Sequence, residues 1–394
     1  MPTLPDVPFH RACLGQEEIE AVTAVLKSGW LTTGPKAFQF EREFAQYVGC
    51  KHAVAVNSCT AALQLALEAL QLKAGDEVLV PTYTFAATSE VVTYCGARPV
   101  LCDSVREGFN IDVAEVERRI TPRTRALIAV HIAGQPCDLD ALRQVADRLQ
   151  LHLIEDAAHA LPATYHGRRV GGISELNAFS FYATKTLTTG EGGMLTTDND
   201  DYAARARLMR LHGISGDAWK RYSKEGSWYY EVMAPGYKLN LPDLLAAIGL
   251  VQLAKSDEMW RRRAQIASRY NEFFSRFEEL EMPPTSPDTV HAWHLFLLRI
   301  RPEKLNIGRN QFIEELKARG IGTSVHFIPL HLHPFYAEAY GHKAGDFPNA
   351  EDSYSRCLSL PIFPDMTEAE MERVMLAVGD IVEHHGRRPQ PVAA

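Results

Sequence analysis

Residues 178–197 read AFSFYATKTLTTGEGGMLTT, two apolar stretches joined by a turn that contains Lys185. A single lysine between apolar segments usually extends its amine to the protein surface. These flanks are too apolar and too rich in glycine for a simple solvated face, so we expect Lys185 to be partly withdrawn from water. Desolvation lowers the pKa of an amine, and a lysine that forms a Schiff base requires such a lowered pKa. The segment therefore predicts a chemically active lysine.

Upstream of this segment, from about residue 53, short apolar runs alternate with amphipathic stretches. The runs HAVAVNS, DEVLVP, ARPVLCD, TRALIAVHIAG and LHLIEDAAHA predict strands, and the stretches between them predict helices. This alternation predicts an α/β fold with a parallel sheet that helices cover on both faces. Ligands of such sheets bind beyond the carboxyl ends of the strands. Polar residues follow the predicted strands at 57–60, 81–85 and 155–159, where a ligand would lie.

The sequence pattern changes near residue 240, where a long helical stretch without internal proline begins. Shorter apolar runs and helical patterns follow it to the end of the chain. We therefore predict a large domain over residues 1–255 and a smaller C-terminal α/β domain over residues 256–394. The run Arg261-Arg262-Arg263 on the long helix is expected to form a solvated face.

Composition excludes several classes of protein. The chain has 394 residues, of which 46% are hydrophobic and 23% are charged, as in an ordinary soluble globular protein. The net charge of −8 and the lack of a basic block argue against a nucleic-acid partner. Seven cysteines without a C-x-x-C pair indicate neither a disulfide framework nor a zinc site. No signal peptide or membrane-spanning run is evident, so we expect a cytoplasmic protein without a membrane partner.

A second motif, NSCTAALQLALEAL, follows the first predicted strand. Ser58, Cys59 and Thr60 open a helix there, and the N-terminus of a helix offers free N–H groups and a partial positive charge to a phosphate. The alternative is that Ser58 or Thr60 only caps the helix.

A third motif, LIEDAAHA, ends a buried strand with Asp156. A carboxylate at this place could hold a positively charged ring nitrogen, bind a metal or form a structural pair in the core. His159, three residues on, could cover the same ligand. Further ligands at a suitable spacing are lacking in the sequence, so we predict no metal site.

A phosphate cradle, a carboxylate for a ring nitrogen and a lysine for an aldehyde are together the anchors of pyridoxal 5′-phosphate. The order of these motifs resembles fold-type I pyridoxal-phosphate enzymes, which implies an α/β fold whose large domain has a mixed, mostly parallel sheet between helices. From about residue 29 to residue 364 the chain also resembles the DegT/DnrJ/EryC1/StrS family of sugar aminotransferases. The segments that carry the resemblance are LTTGP, PTYTFAAT, EDAAHA, FSFYATKTLTTGEGG, GYKLNLPDLLAAIGLVQL and TSVHFIPLHLHPFY.

The resemblance implies a role for each motif residue. Lys185 would be the Schiff-base lysine, which the dehydratases of the family replace by histidine, and Asp156 would pair with the ring nitrogen. Phe85 would stack on the cofactor, with Tyr83 as the less favoured candidate. The remaining cofactor contacts would be Cys59, Thr60, His159, Ser180, Lys238 and Asn240, and the substrate contacts would be Thr33, Tyr182 and His326. The neighbouring His331 would also fall near the sugar-nucleotide site.

Many relatives have G-Y-N-Y-R where this chain has GYKLN, residues 236–240. An asparagine of that loop reaches the cofactor phosphate of the partner subunit in such enzymes. Lys238 or Asn240 could do so here, and the resemblance therefore implies a homodimer with shared active sites. The aromatic-rich segment 219–231 resembles a substrate-facing flap, and a packed loop is the alternative.

The implied activity is a pyridoxal-phosphate-dependent transfer of an amino group from glutamate to the C-4 ketone of a nucleotide-linked, UDP-type keto-sugar in cell-surface polysaccharide biosynthesis. The segments APGYKLNL, VHAWHLFLLRI and GIGTSVHF are similar to the branch that forms UDP-4-amino-4-deoxy-L-arabinose from a 4-ketopentose. A 4-keto-6-deoxyhexose is the alternative acceptor. A non-catalytic regulator that binds pyridoxal phosphate is an alternative of another class, and the negative charge and missing helix-turn-helix argue against it.

Overall fold

The computed structural model of this protein describes residues 5–215 and 229–387. Most of the segment 219–231, the expected flap, lies outside the described residues.

The strands are short and are listed here in chain order. They are β1 (His52–Val56), β2 (Glu77–Pro81), β3 (Arg98–Cys102), β4 (Thr124–Val130), β5 (His152–Asp156), β6 (Thr164–Tyr165), β7 (Arg168–Arg169), β8 (Leu176–Ser180), β9 (Gly193–Thr197), β10 (Leu280–Glu281), β11 (Thr289–Val290), β12 (Phe296–Ile300) and β13 (Cys357–Leu360).

The helices cover these strands and connect them. They are α1 (Gln16–Ser28), α2 (Pro35–Val48), α3 (Cys59–Ala69), α4 (Ala87–Tyr94), α5 (Val113–Arg119), α6 (Leu139–Leu149), α7 (Asp200–Met209), α8 (Asp243–Phe274), α9 (Arg309–Ala318), α10 (Pro334–Tyr340), α11 (Pro348–Arg356) and α12 (Glu368–His385).

A seven-stranded sheet has the order β1-β9-β8-β5-β4-β2-β3. Its strands are parallel except β9, which runs antiparallel to both of its neighbours. Along β2, Val78 and Val80 belong to the core that includes residues of α3, whereas Leu79 belongs to the core that includes residues of α6. Helices therefore cover both faces of the sheet, which explains why its strands read as nearly continuous apolar runs. The predicted α/β fold with a mixed, mostly parallel sheet is confirmed.

A second, smaller sheet of three antiparallel strands, β10-β12-β13, lies in the C-terminal part. Its core contains the end of α8, α9 and α12, and it also takes in Val7, whose backbone pairs with Ile321. The 32-residue helix α8 runs through the predicted boundary between residues 255 and 256. The division into two domains at that position stays a prediction.

The expectation of a solvated face at 261–263 is wrong for one of the three arginines. Arg263 is only 1% exposed, and its guanidinium donates to the backbone oxygens of Ile362 (2.7 Å) and His294 (3.3 Å). A buried cation requires such acceptors, because its transfer from water is otherwise costly. Arg263 thereby ties α8 to two loops of the C-terminal part.

Parallel strands bring their carboxyl ends to one edge of the large sheet. The segments after β1, β2, β5 and β8 therefore meet at this edge, and antiparallel β9 begins there at Gly193, which pairs with Val56 and Ser180. A Cβ on Gly193 would lie 2.4 Å from the carbonyl carbon and oxygen of Ser58 and 2.7 Å from the amide nitrogen of Cys59. Only glycine permits β9 to approach the N-terminus of α3 so closely.

The substitution Gly193→Ala is expected to displace the N-terminus of α3, because the atoms that its Cβ meets are backbone atoms that cannot rotate away. We expect a loss of about 1–3 kcal/mol in the free energy of unfolding, together with weaker binding of any phosphate ligand at α3. Thermal unfolding and ligand titration measure the two effects. Gly308→Ala is the matched control, since no atom lies within 4 Å of the added Cβ; equal effects of both substitutions would contradict the account.

Candidate active site

A cavity of about 540 Å³ lies at the edge where the strand ends meet. Nine of the twelve residues with a predicted role line it: Cys59, Thr60, Phe85, Asp156, His159, Ser180, Tyr182, Lys185 and His326. The fold thus brings together side chains that the sequence separates by more than 260 residues.

Lys185 lies in the turn after β8, and its backbone amide donates to the carbonyl of Tyr182 (2.9 Å). Its side-chain amine has no hydrogen bond or salt bridge to any group that the structure describes. Burial lowers the pKa of this amine to about 8, against the smaller opposing influence of Cys59 and Asp156. The neutral form of this amine is therefore populated near physiological pH far more than that of an ordinary lysine, although the protonated form still predominates there.

Asp156 is the last residue of β5 and is 5% exposed. Its Oδ2 accepts a hydrogen bond from the Thr88 hydroxyl (2.8 Å), and its Oδ1 accepts one from the amide of Ala158 (3.1 Å). Burial raises the pKa of this carboxyl, and these hydrogen bonds oppose the shift. This carboxylate forms no salt bridge with any residue in the described part of the chain, so it is suited to a ligand that brings a positive charge.

The N-terminus of α3 supplies the expected cradle for an anion. The Ser58 side chain caps the helix by accepting from the amide of Ala61 (3.1 Å), so the capping alternative is correct for Ser58. The amides of Cys59 and Thr60 precede the first intrahelical bond and point out of the helix end. The Cys59 thiol lies 3.8 Å from Asp156 Oδ1. The Cys59 side chain therefore faces the carboxylate, and only the backbone amide of Cys59 is available to bind a phosphate.

His159 is held as a neutral ring on the wall of the cavity. Its Nδ1 accepts a hydrogen bond from the amide of Ala133 (3.2 Å), so its proton lies on Nε2. Burial, together with the nearby Lys185, keeps the pKa of His159 well below its usual range. The ring stacks on Phe327 at a centroid distance of 5.7 Å.

The two aromatic candidates for stacking differ in position. Phe85 is 63% exposed and lines the cavity, which suits an apolar ring that a ligand covers. Tyr83 is fully buried, and its hydroxyl donates to the backbone oxygen of His326 (2.7 Å). The geometry therefore favours Phe85, as the sequence analysis does.

Three predicted residues do not line the cavity of their own chain: Thr33, Lys238 and Asn240. They contact one another instead. The Lys238 amine donates to the Asn240 side-chain oxygen, and Asn240 Nδ2 donates to the Thr33 hydroxyl (2.6 Å). The loop lies against β1, where Asn240 pairs with Val56. Their expected roles at a cofactor or substrate stay predictions.

Two other histidines are buried among hydrogen-bond partners and do not line the cavity. His131 is fully buried between Glu155 Oε2 (2.8 Å) and the amide of Cys137 (3.0 Å). His331 is also fully buried, within hydrogen-bond distance of Thr82 and Glu351, and does not line the cavity, contrary to the expected position near the sugar site.

Sequence reasoning missed four residues that line or support the cavity. Phe9 and His10 enter it from the N-terminal segment, and His294 enters it from the loop before β12. Thr88 holds Asp156. The hydroxyl of Thr88 could have been suspected from the motif TYTFAAT, but no local pattern marks the other three.

Two kinds of feature are absent from residues 5–215 and 229–387. No helix in these residues is long and apolar enough to cross a membrane. No group of three or more histidine, cysteine, aspartate or glutamate residues there could hold a metal ion.

A family model described as the DegT/DnrJ/EryC1/StrS aminotransferase family matches residues 12–379. The chain belongs to this family. Among curated proteins it is 52% identical over 379 residues to the uncharacterized protein MJ1066 of Methanocaldococcus jannaschii, covering 96% of this chain and 98% of that protein. It is 50% identical over 378 residues to the spore coat polysaccharide biosynthesis protein SpsC of Bacillus subtilis, covering 96% and 97% of the two chains.

Among solved structures, the putative sugar aminotransferase Spr1654 of Streptococcus pneumoniae in its PMP form superposes with a TM-score of 0.91 at 32% identity, over 96% of this chain and 100% of that chain. The same protein in its PLP form gives a TM-score of 0.90. The DegT/DnrJ/EryC1/StrS resemblance and the fold-type I architecture predicted from the sequence are confirmed.

Membership of the family also confirms the predicted cofactor, pyridoxal 5′-phosphate. The residues of the cavity fit this group by their own chemistry. The free amides at α3 suit its phosphate, the buried carboxylate of Asp156 suits its ring nitrogen, and the unpaired amine of Lys185 suits its aldehyde.

The rate at which the cofactor-free protein joins pyridoxal phosphate to Lys185 is expected to rise with pH, because only the neutral amine attacks an aldehyde. The midpoint should lie near pH 8, the value to which burial lowers the Lys185 pKa, and not near 10.4, the value of a free lysine. Stopped-flow absorbance of the bound cofactor measures the rate. Lys185→Ala should bind the cofactor without this absorbance change, and a midpoint above about 9.5 would contradict the proposed environment of Lys185.

Proposed function

We propose that this protein transfers an amino group from glutamate to the C-4 ketone of a nucleotide-linked keto-sugar. The observation that carries the proposal is the cavity in which the unpaired Lys185 amine and the buried Asp156 carboxylate meet the N-terminus of α3. The sugar substrate is supported by the names of two relatives, one a spore coat polysaccharide biosynthesis protein and the other a putative sugar aminotransferase. A role in cell-surface polysaccharide biosynthesis, in the cytoplasm, is part of the same proposal.

The chain's own residues provide the acid–base chemistry of the transfer. When bound, pyridoxal phosphate supplies an electron sink for the negative charge left when a proton leaves the carbon that carries the amino group. Lys185 Nζ would take that proton as a general base and return it as a general acid. Asp156 would hold the ring nitrogen through its carboxylate and keep it protonated. His159 offers its Nε2 proton to the cavity, and Phe85 would cover one face of the ring.

The charges of the cavity support a composite site. Glutamate and a nucleotide diphosphate are both anions, yet Lys185 is the sole lysine or arginine among the residues that line the described cavity. Lys185 is engaged in the chemistry, so a further cation has to come from elsewhere. The Lys238 amine pairs with no carboxylate in the part of the chain that is described. We therefore propose a homodimer in which the loop of Lys238 and Asn240 reaches the phosphate or substrate in the other subunit's cavity.

The resemblance to the UDP-4-ketopentose branch favours a UDP-linked 4-ketopentose as the acceptor sugar. Neutral donors line the cavity. Burial and nearby Lys185 lower the pKa of His326 to about 4, and Tyr182 is half exposed. Such groups suit the hydroxyls of a sugar. A UDP-linked 4-keto-6-deoxyhexose remains the alternative substrate.

The holoenzyme is to be assayed with UDP-4-ketopentose and UDP-4-keto-6-deoxyhexoses side by side, with glutamate, glutamine, aspartate and alanine as separate amino donors. We expect turnover with glutamate, because remote contacts to the nucleotide position the ketone, and the highest kcat/KM for the 4-ketopentose, because the chain resembles the branch that uses it. Formation of the amino sugar is followed by mass spectrometry. Equal or higher kcat/KM for a deoxyhexose would favour the alternative, and no turnover of any nucleotide sugar would contradict the proposed function.

Mixed dimers test the shared site. A Lys185→Ala chain and a chain with both Lys238→Ala and Asn240→Ala are each expected to be inactive. Random pairing makes about half of the dimers mixed, and each mixed dimer has one intact site, so about a quarter of full activity should return. Activity no greater than that of either parent, despite confirmed mixed dimers, would place the loop in its own subunit's site.

A further inference from the structure

The carboxylate of Asp156 is the end of a chain of hydroxyl groups that the roles above leave unexplained. The Thr88 hydroxyl lies 2.8 Å from Asp156 Oδ2, and the Thr84 hydroxyl lies 2.8 Å from that of Thr88. Thr84 is 2% exposed and Thr88 is fully buried. The chain therefore lies along the wall of the cavity, where it is shielded from bulk water and hydrogen bonds are stronger than in water.

The number of hydrogens fixes the direction of this chain. Each hydroxyl has one hydrogen, and that of Thr88 is donated to Asp156. The bond between the threonines must then use the hydrogen of Thr84. Donation thus runs from Thr84 to Thr88 to Asp156, an arrangement in which each bond polarises the next.

The second oxygen of the carboxyl group is also occupied by a donor. Oδ1 of Asp156 accepts from the amide of Ala158 (3.1 Å), and the Cys59 thiol lies 3.8 Å away. Hydrogen bonds to both oxygens suit an ionised carboxylate and disfavour the acid, which would have to donate. They also fix the rotation of the group about its last bond.

We propose that Thr88, supported by Thr84, is a positioning residue that keeps Asp156 ionised and correctly turned towards the ring nitrogen of the cofactor. The proposal rests on the role given to Asp156 under the proposed function. Burial opposes it by raising the pKa of this carboxyl, and the Thr88 hydrogen bond lowers that pKa. Without the hydroxyl, Asp156 would take the proton of the ring nitrogen more readily.

The position of Thr88 permits a clean substitution. It lies in the first turn of α4, where its amide donates to the carbonyl of Phe85 (3.2 Å), and valine keeps this backbone contact and the shape of the side chain. Thr93 in the same helix is the matched control, because its hydroxyl donates to the backbone oxygen of Glu90 (2.6 Å), outside the cavity.

The test is the ¹⁵N chemical shift of the ring nitrogen of ¹⁵N-labelled pyridoxal phosphate in the holoenzyme, which reports directly whether that nitrogen carries a proton. We expect a protonated nitrogen in the wild type, in Thr88→Ser and in Thr93→Val. In Thr88→Val the shift should move towards the unprotonated value, and in Thr84→Val it should move less. Loss of one hydrogen bond to a charged group should also slow amino-group uptake from glutamate by about 10- to 100-fold in Thr88→Val.

A wild-type shift in Thr88→Val, or a shift in Thr88→Ser as large as that in Thr88→Val, would overturn the proposal. If Thr88→Val does not fold, Thr88→Ala with Thr93→Ala as its control gives the same decision. Asp156→Asn separates this proposal from the one on which it rests: a protonated ring nitrogen in that variant would contradict the role of Asp156 itself.

Discussion

Two buried ionisable groups, Asp156 and Lys185, form no salt bridge with any residue that the structure describes, and they are the constraint on which the site depends. An ion that leaves water without meeting a counter-charge costs several kcal/mol, about the order of the stability of a whole domain. The two groups form no salt bridge with each other. Burial raises the pKa of Asp156 and lowers that of Lys185, so it favours the neutral form of each group. Pyridoxal phosphate carries a ring nitrogen for Asp156 and an aldehyde for Lys185, so the bound cofactor relieves both groups at once.

The large sheet can hold these two groups in place at little cost in free energy to the rest of the fold. The hydrogen-bonded ladders of parallel strands bring four chain segments to one edge, and the strands themselves are held by apolar cores on both faces. Asp156 lies within β5, and Lys185 follows β8 by five residues. Groups placed on such rigid elements, or in a short turn directly after one, keep their separation when a ligand binds, which a catalytic site needs. The close approach of β9 to α3 at Gly193 places the anion-binding N-terminus of α3 at the same edge of the sheet.

Much of this site could be predicted from the sequence because its main signals are local. A strand that ends in Asp156, and a lysine between apolar and glycine-rich flanks, can be recognised within twenty residues. Phe9, His10 and His294 could not be found in this way, since they reach the cavity through long-range packing. The pairing of Val7 with Ile321 and the bond from Arg263 to the carbonyl of His294 create that packing. The predicted solvated face was wrong at Arg263 for the same reason. A run of arginines on a helix looks the same in sequence whether it is solvated or buried.

The measurement that tests the central claim most directly is the site of cofactor attachment. The holoenzyme is reduced with borohydride, digested and analysed by tandem mass spectrometry, which locates the side chain that carries the pyridoxyl phosphate group. The account predicts this group on Lys185 and on no other lysine. Attachment to a different lysine, or a holoenzyme in which no lysine is modified, would contradict it.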